Sequence, residues 1–181
     1  YLSAAASMKS KIYIRNIEKS HFKSITSVYE DAGCEIRETH GIVVITSSGN
    51  LKAIEKVTTQ PYPGFPTDMQ AQLMASMLKA DGITIIEETV FDSRFKHVPE
   101  LQKMGANITT IGRVAVIEGV KKLYGAEVEA KDLRGGAALV IAAMGAEGTT
   151  KVNNIHHINR GYEKFVNKLQ NLGVIITETN D

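Results

Sequence analysis

Three similar segments follow one another along the chain at intervals of roughly seventy residues. Each contains an amphipathic helix that ends at a glycine, and a strand follows that glycine, which is Gly33, Gly105 or Gly173. Glycine suits the left-handed conformation that closes many helices. A short strand precedes each of these helices, and an apolar helical stretch precedes that strand. The pattern predicts three copies of one supersecondary unit, at about 1–57, 58–125 and 126–181.

The distribution of apolar residues predicts which of these elements are buried. In the second helix of each copy, apolar residues recur at helical spacing, so one face of each helix is expected to pack inward. These residues are Phe22, Ile25, Val28, Val98, Leu101, Met104, Phe165, Leu169 and Leu172. The stretch 137–144 is apolar on all sides, which a helix tolerates only when protein surrounds it. The strands are rich in β-branched residues, with polar positions that suit sheets with one wet face. The sequence therefore predicts helices inside and sheets outside.

Composition excludes several classes of function. A hydrophobic content of 43% over 181 residues is ordinary for one globular domain with a sizeable core. A formal net charge of +1 argues against bulk binding to nucleic acid or anionic membranes, so a small anion is the favoured partner. Cys34 is the only cysteine, which excludes an intrachain disulfide and fits a reducing compartment. No apolar run is long enough to cross a bilayer, and we expect a cytoplasmic protein.

Differences between the copies indicate a polar cleft. Asp68 lies fourteen residues before Gly82, and Arg134 lies fourteen residues before Gly148, the glycine that begins the corresponding strand in the next copy. The two residues therefore occupy equivalent positions with opposite charges. Counted the same way, Arg94 and Arg160 are equivalent, and the first copy has Phe22 there. Packing alone favours similar residues at equivalent positions. Charges that recur or change sign at helix starts therefore suggest a shared site.

The motif PYPGFPTDMQAQ, residues 61–72, is the strongest local signal. Three prolines and a glycine stiffen this loop, and Thr67 or Asp68 is predicted to cap the helix that begins with MQAQ. Asp68 can therefore be a helix cap only, or a carboxylate in the polar cleft. The loop is stiffer than a cap requires, which favours the cleft.

A second motif, DLRGGAAL, begins the most apolar helix. Asp132 is predicted to cap it, and Arg134 falls in its first turn, where exposed N–H groups attract anions. Two weak helix formers follow, Gly135 and Gly136, and we expect them to let a ligand approach the backbone. Arg94 and Arg160 precede other helices, a costly place for a cation unless an anion is near.

Taken in order, PGFPTDMQAQ, RFKHVPELQKMGA, DLR and RGYEKF resemble the motifs of the UDP-N-acetylglucosamine 1-carboxyvinyltransferase family. These enolpyruvyl transferases act in peptidoglycan precursor synthesis and use phosphoenolpyruvate and UDP-N-acetylglucosamine. The resemblance extends over essentially the whole chain, and PGFPTDMQAQ separates it from the related family that acts on shikimate 3-phosphate. It implies that residues 1–181 form one domain, the C-terminal half of a two-domain enzyme. The implied fold is an α/β (α+β) inside-out barrel built from three repeats.

The resemblance also implies roles for particular residues. Asp68 matches the aspartate that contacts the 3-hydroxyl of the sugar nucleotide and transfers a proton, which requires a carboxylate within hydrogen-bond reach. Val90 and Phe91 match positions that line the sugar-nucleotide site, Val90 mainly through its backbone. The carboxylate and phosphate of phosphoenolpyruvate suit guanidinium forks. The matching arginines are Arg94, Arg134 and Arg160.

The chain departs from the family pattern in a few places. Asn159 replaces the usual aspartate beside Arg160, and Asp92 and Ser93 replace glutamate and asparagine. The reactive cysteine and the catalytic lysine belong to the missing N-terminal domain, the implied partner of this chain. Cys34 does not match that cysteine, and we expect it in the core.

We expect neither a metal nor another cofactor, and the isolated chain is expected to be inactive. Two alternatives stay open. One is a binding or structural module that kept the fold without the chemistry, and the other is a transferase acting on shikimate 3-phosphate.

Overall fold

The computed structural model describes residues 1–179. Its first repeat begins with a short apolar helix and continues with a three-stranded antiparallel sheet and a second helix. The elements are α1 (Leu2–Ser7), β1 (Lys9–Arg15), α2 (Lys23–Asp31), β2 (Glu35–Thr39) and β3 (Ile42–Ser48). The strand order is β1-β3-β2, so the last strand lies in the middle. Alternate residues of β3 are buried, as expected of a strand with one face on the core.

The segment predicted as the second repeat has the same order of elements after one additional strand, and a larger sheet. Its elements are β4 (Lys56–Thr58), α3 (Gln70–Met77), β5 (Ile83–Glu87), α4 (Val98–Lys103), β6 (Asn107–Ile111) and β7 (Val114–Glu118). The strand order is β4-β5-β7-β6, with β4 parallel to β5 and the other pairs antiparallel. A turn of 3-10 helix, Thr67–Met69, leads into α3.

The rest of the chain, which contains the predicted third repeat, is less regular. Its elements are β8 (Leu123–Tyr124), β9 (Glu127–Glu129), α5 (Leu133–Met144), β10 (Ala146–Glu147), β11 (Lys151–Asn153), α6 (His156–Asn159) and α7 (Phe165–Asn171). Its strands pair only as two short parallel ladders, β8 with β10 and β9 with β11.

The strand predicted after Gly173 is wrong for the described residues, since 174–179 belong to no strand. In the first two repeats, the strand after the glycine pairs with the strand that follows it. The third repeat has no such following strand within residues 1–179, and a lone strand has no hydrogen-bond partner to hold it. The inward packing predicted for Leu172 is also wrong, because Leu172 is exposed, as is the nearby Ile175.

The core forms around the three apolar helices. Helices α1, α3 and α5 contact one another, all eight residues of α3 are buried, and the stretch 137–142 of α5 is buried as predicted. Cys34 is also in this core, as predicted. The fold is therefore mixed α+β, with its most apolar helices central.

The strands of the described residues do not close into a single barrel. They form four separate sheets, of three, four, two and two strands. No helix in this part of the chain has the length and apolar character that a membrane span needs.

Candidate active site at the starts of two central helices

A cavity of about 250 Å³ opens where α3 and α5 begin. Its wall combines the loop before α3, the loop between β5 and α4, and the first turn of α5. The residues that matter most for the argument are Thr67, Gln70, Phe91, Arg94, His97 and Arg134. The two motifs that stood out in the sequence therefore meet at one place, as the repeat pattern predicts.

Asp68 lies beside this cavity, between two arginines. Its Oδ1 accepts a hydrogen bond from Arg134 Nε at 2.5 Å and lies 3.7 Å from a terminal nitrogen of Arg94. The predicted capping role is wrong, because Met69 occupies the N-cap of α3 and no side chain caps that helix. Thr67 donates its hydroxyl to Glu88 instead. A guanidinium partner carries a full positive charge, whereas a helix N–H carries only a partial one, so the Asp68 carboxylate pairs with the arginines.

Arg134 is held by the start of α5. Asp132 caps this helix as predicted, because its Oδ1 accepts a hydrogen bond from the backbone N–H of Gly135 at 2.7 Å. This places Arg134 in the first turn, facing Asp68. The hydrogen bond to Asp68 raises the pKa of Arg134, and partial burial opposes that change. Arg134 is therefore a fixed positive charge at the mouth of the cavity.

Arg94 is held by the loop that follows β5. Its guanidinium carbon lies 4.4 Å above the centre of the Phe91 ring, and its side chain is only 20% exposed. Stacking of this kind fixes the plane of a guanidinium group. Arg113 anchors the same loop from outside, with bonds to the Thr89 carbonyl and to Asp92. The replacement of glutamate by Asp92 thus still leaves a carboxylate that pairs with Arg113.

Three cavity or near-cavity residues were missed by sequence reasoning. His97 is buried, and its Nε2 lies 3.2 Å from the sulfur of Met74. Burial lowers the pKa of His97 to about 4, although Asp132 and a hydrogen bond to the backbone of Arg94 act in the opposite sense. Gln70 is buried, and within residues 1–179 its Nε2 has no hydrogen-bond partner. Glu88 is buried behind the cavity. Gln70 and Glu88 fall in an apolar helix start and at the end of a strand, where a single polar residue leaves no periodic signal, and His97 falls among charged residues that conceal it.

The two glycines of α5 have different reasons to be there. A Cβ on Gly136 would lie 2.7 Å from Ile158 Cγ1, so close packing of α5 excludes a side chain. Packing thus accounts for Gly136, and no ligand is needed to explain it. Gly135 lines the cavity, and a Cβ there would lie 3.0 Å from that of His97. Only Gly135 fits the expected close approach of a ligand.

The structure brings together part of the predicted residue set. Asp68, Phe91, Arg94 and Arg134 meet at the cavity. Arg160 does not line it and is exposed at the end of α6, where the neighbouring Asn159 donates to Glu178 at 3.0 Å. No group of three or more His, Cys, Asp or Glu residues that could hold a metal ion occurs among the residues described.

The backbone N–H of Val90 is engaged within the protein. Its N–H donates to Glu88 Oε1 at 2.9 Å, and its side chain is half-buried. The neighbouring Phe91 does line the cavity and is half-exposed. Of the two residues expected to contact the sugar nucleotide, Phe91 is therefore the one with an available side chain.

Comparison with known proteins identifies the family. The model of the EPSP synthase (3-phosphoshikimate 1-carboxyvinyltransferase) family matches residues 1–169. This chain belongs to the EPSP synthase family. Two proteins of Caldanaerobacter subterraneus subsp. tengcongensis, UDP-N-acetylglucosamine 1-carboxyvinyltransferases 2 and 1, are 47% and 48% identical to it over 97% of its length. A protein of the same name from Helicobacter hepaticus is 45% identical. The resemblance seen in the motifs is confirmed.

The chain spans about 42% of the length of these EPSP synthase family relatives. Solved structures show the same kind of partial match. The enolpyruvyl transferase NikO from Streptomyces tendae superposes with a TM-score of 0.87 at 25% identity, over 98% of this chain and 42% of NikO. EPSP synthase from Acinetobacter baumannii superposes with a TM-score of 0.63 at 19% identity, over 83% of this chain and 37% of its own, which supports the fold alone.

Proposed function

We propose that this chain is a domain of a UDP-N-acetylglucosamine 1-carboxyvinyltransferase, an enzyme of peptidoglycan precursor synthesis. The observation that carries the proposal is the placement of the Asp68 carboxylate between Arg94 and Arg134 at one cavity. A carboxylate can accept a proton, and two guanidinium groups can hold a small dianion. The names of the relatives, at 43–48% identity, support this substrate class.

The proposed reaction joins a sugar hydroxyl to an enolpyruvyl group. The 3-oxygen of UDP-N-acetylglucosamine forms a bond to C2 of phosphoenolpyruvate, and the bond from C2 to the phosphate oxygen breaks. Phosphate leaves with that electron pair, and the hydroxyl proton must be removed. Asp68 is the proposed proton acceptor, and Arg94 and Arg134 stabilise the charge of phosphoenolpyruvate. Arg160 and the Phe91 and Val90 segment belong to the proposed substrate contacts, on the motif resemblance.

The domain organisation is part of the proposal. We propose that residues 1–181 form one domain of three repeats, as an inside-out barrel, and that an N-terminal domain completes the site. The share of the relatives' length that this chain spans supports a missing part. The chain alone is then expected to be inactive. The single cysteine, which is buried, is compatible with the reducing cytoplasm as the place of the reaction.

A chimera tests this function most directly. In it, this chain replaces the matching stretch of the Caldanaerobacter subterraneus carboxyvinyltransferase 2, and phosphate release from phosphoenolpyruvate is measured with either acceptor. We expect turnover with UDP-N-acetylglucosamine and none by the chain alone. Turnover only with shikimate 3-phosphate would assign the other acceptor. A folded chimera without turnover would favour the non-catalytic module, and turnover by the chain alone would contradict the need for a second domain.

A further inference from the structure

A buried carboxylate lies directly behind the candidate active site. Glu88 follows β5 and is 1% exposed. Its Oε1 accepts hydrogen bonds from Thr59 Oγ1 at 2.9 Å and from the backbone N–H groups of Val90 and Phe91 at 2.9 and 3.1 Å. Its Oε2 accepts a hydrogen bond from Thr67 Oγ1 at 2.7 Å. Three donors therefore converge on Oε1 and one reaches Oε2, an arrangement that suits an ionised carboxylate, which only accepts hydrogen bonds.

The donors belong to the two segments that carry the site. Thr67 immediately precedes Asp68, in the 3-10 turn before α3. Val90 and Phe91 begin the loop that carries Arg94, and the Phe91 ring supports the Arg94 guanidinium. Thr59 reinforces the link, because its Oγ1 accepts a hydrogen bond from the Thr89 N–H at 3.0 Å. One carboxylate thus ties the Asp68 segment to the Arg94 segment.

Glu88 is ionised in this setting. Burial alone would raise its pKa, but the hydrogen bonds from Thr67, Phe91, Thr59 and Val90 together lower that pKa below its ordinary value. A buried charge is a poor way to gain stability, since an apolar replacement of similar volume is often as stable. Its use is to fix geometry, because short charge-assisted hydrogen bonds hold their donors in defined directions.

We propose that Glu88 is a positioning residue of the active site, which holds Asp68 and Arg94 at the separation that the reaction needs. The inference rests on the proposed function. Through Thr67 it sets the place of the Asp68 carboxylate, and through Val90 and Phe91 it sets the place of the Arg94 guanidinium. A displacement of about 1 Å in such a group is enough to lower a rate by about a hundredfold.

The first test measures geometry in the chain itself and needs no activity. The Nε–H signal of Arg134 in a proton–nitrogen NMR spectrum reports its bond to Asp68, and amide exchange at Val90 and Phe91 reports their bonds to Glu88. In Glu88→Gln, we expect the Arg134 signal to shift or broaden and exchange at the two amides to rise about tenfold, since neutral acceptors bind more weakly. The matched control is Glu87→Gln, because Glu87 is the adjacent carboxylate and its side chain bonds to Lys56 and Thr58, away from the Asp68 and Arg94 segments.

The second test measures catalysis in the chimera described above. Thr67→Val keeps the shape of the side chain and removes its bond to Glu88 Oε2, which holds the segment that carries Asp68, so we expect kcat to fall with little change in KM. Glu88→Gln disturbs both segments, and we expect kcat/KM to fall about tenfold or more, with a higher KM for phosphoenolpyruvate. The double variant should be no worse than the more severe single variant, because both act through one contact.

The outcomes separate the two proposals. If Glu88→Gln lowers stability but leaves kcat and KM per folded molecule unchanged, Glu88 is only structural and the inference is wrong. It is also wrong if Glu87→Gln changes the NMR signals equally, or if no signal changes in Glu88→Gln. If the unmodified chimera is inactive, the proposed function fails, and the NMR measurement alone then decides whether Glu88 positions Asp68 and Arg94.

Discussion

The carboxylate of Asp68 contacts two guanidinium groups that differ in how they are held. Arg134 is fixed by the helix cap at Asp132, and Arg94 is fixed by the ring of Phe91. Asp68 itself is 60% exposed, so it is reachable by a substrate hydroxyl. Its arginine contacts keep the carboxylate in one place without burying it. At the scale of residues, the site therefore consists of one accessible carboxylate between two positioned cations.

Replacement of Asp68 by asparagine separates proton transfer from binding. The amide oxygen of asparagine can still accept the hydrogen bond from Arg134 Nε, so the arginines stay in place. We expect kcat of the chimera to fall about a hundredfold or more, with little change in the KM for phosphoenolpyruvate. Steady-state phosphate release measures both. Asp31→Asn, at an exposed aspartate of α2, is the matched control. A large rise in KM with unchanged kcat would show that Asp68 serves binding only.

At the scale of elements, the start of α5 requires a close approach between helices. The Cβ that alanine would add at position 136 meets Ile158 at 2.7 Å and Ala130 at 3.0 Å. We expect Gly136→Ala to lower the free energy of unfolding by about 1 to 3 kcal/mol, as overpacking does. Gly135→Ala is the matched control. The atom nearest to the added Cβ there is the Cβ of His97 at 3.0 Å, and alanine favours the helix over glycine by up to about 1 kcal/mol. Urea unfolding of the chain measures both, and an equal loss in the two variants would contradict this account of the packing.

The elements also show which features a sequence can reveal. The helices and their closing glycines were predictable, because helical spacing and glycine signals are local. The third hairpin was not, since a strand after Gly173 depends on a partner strand that local sequence does not specify. The pairing of Asp68 with Arg134 was indicated by the repeat. The hydrogen bonds of Glu88 could not be predicted, because its donors Thr59 and Thr67 are distant in sequence. The sequence of two adjacent glutamates also does not distinguish a buried glutamate from an exposed one.

At the scale of the whole molecule, buried titratable groups link neighbouring elements. Glu100 of α4 accepts hydrogen bonds from Lys103 and from the backbone of Glu129 in β9, and it pairs with Lys131. Burial opposes its ionisation, but these partners lower the pKa of Glu100 to about 2. Its stabilising effect is therefore present above the ordinary value of 4.5 and is lost only as the pH falls toward 2. Mild acid leaves this link intact.

His97 responds in a different pH window. Its pKa is about 4 in the folded chain against an ordinary value of 6.5, so the unfolded chain binds a proton more readily between these values. The free energy of unfolding must then fall as the pH is lowered, by about 2 kcal/mol between pH 7 and pH 5. In that range folded Glu100 stays ionised, and the difference between the unmodified chain and His97→Gln isolates the contribution of His97. We expect the fall to disappear in His97→Gln and to persist in His21→Gln, whose histidine is exposed. Urea unfolding at pH 7 and at pH 5 gives the change in the free energy of unfolding for each variant. A loss of stability that is equal at both pH values cancels in this change. An equal fall in His97→Gln and in the unmodified chain would mean that the histidine under the cavity is not held neutral by burial.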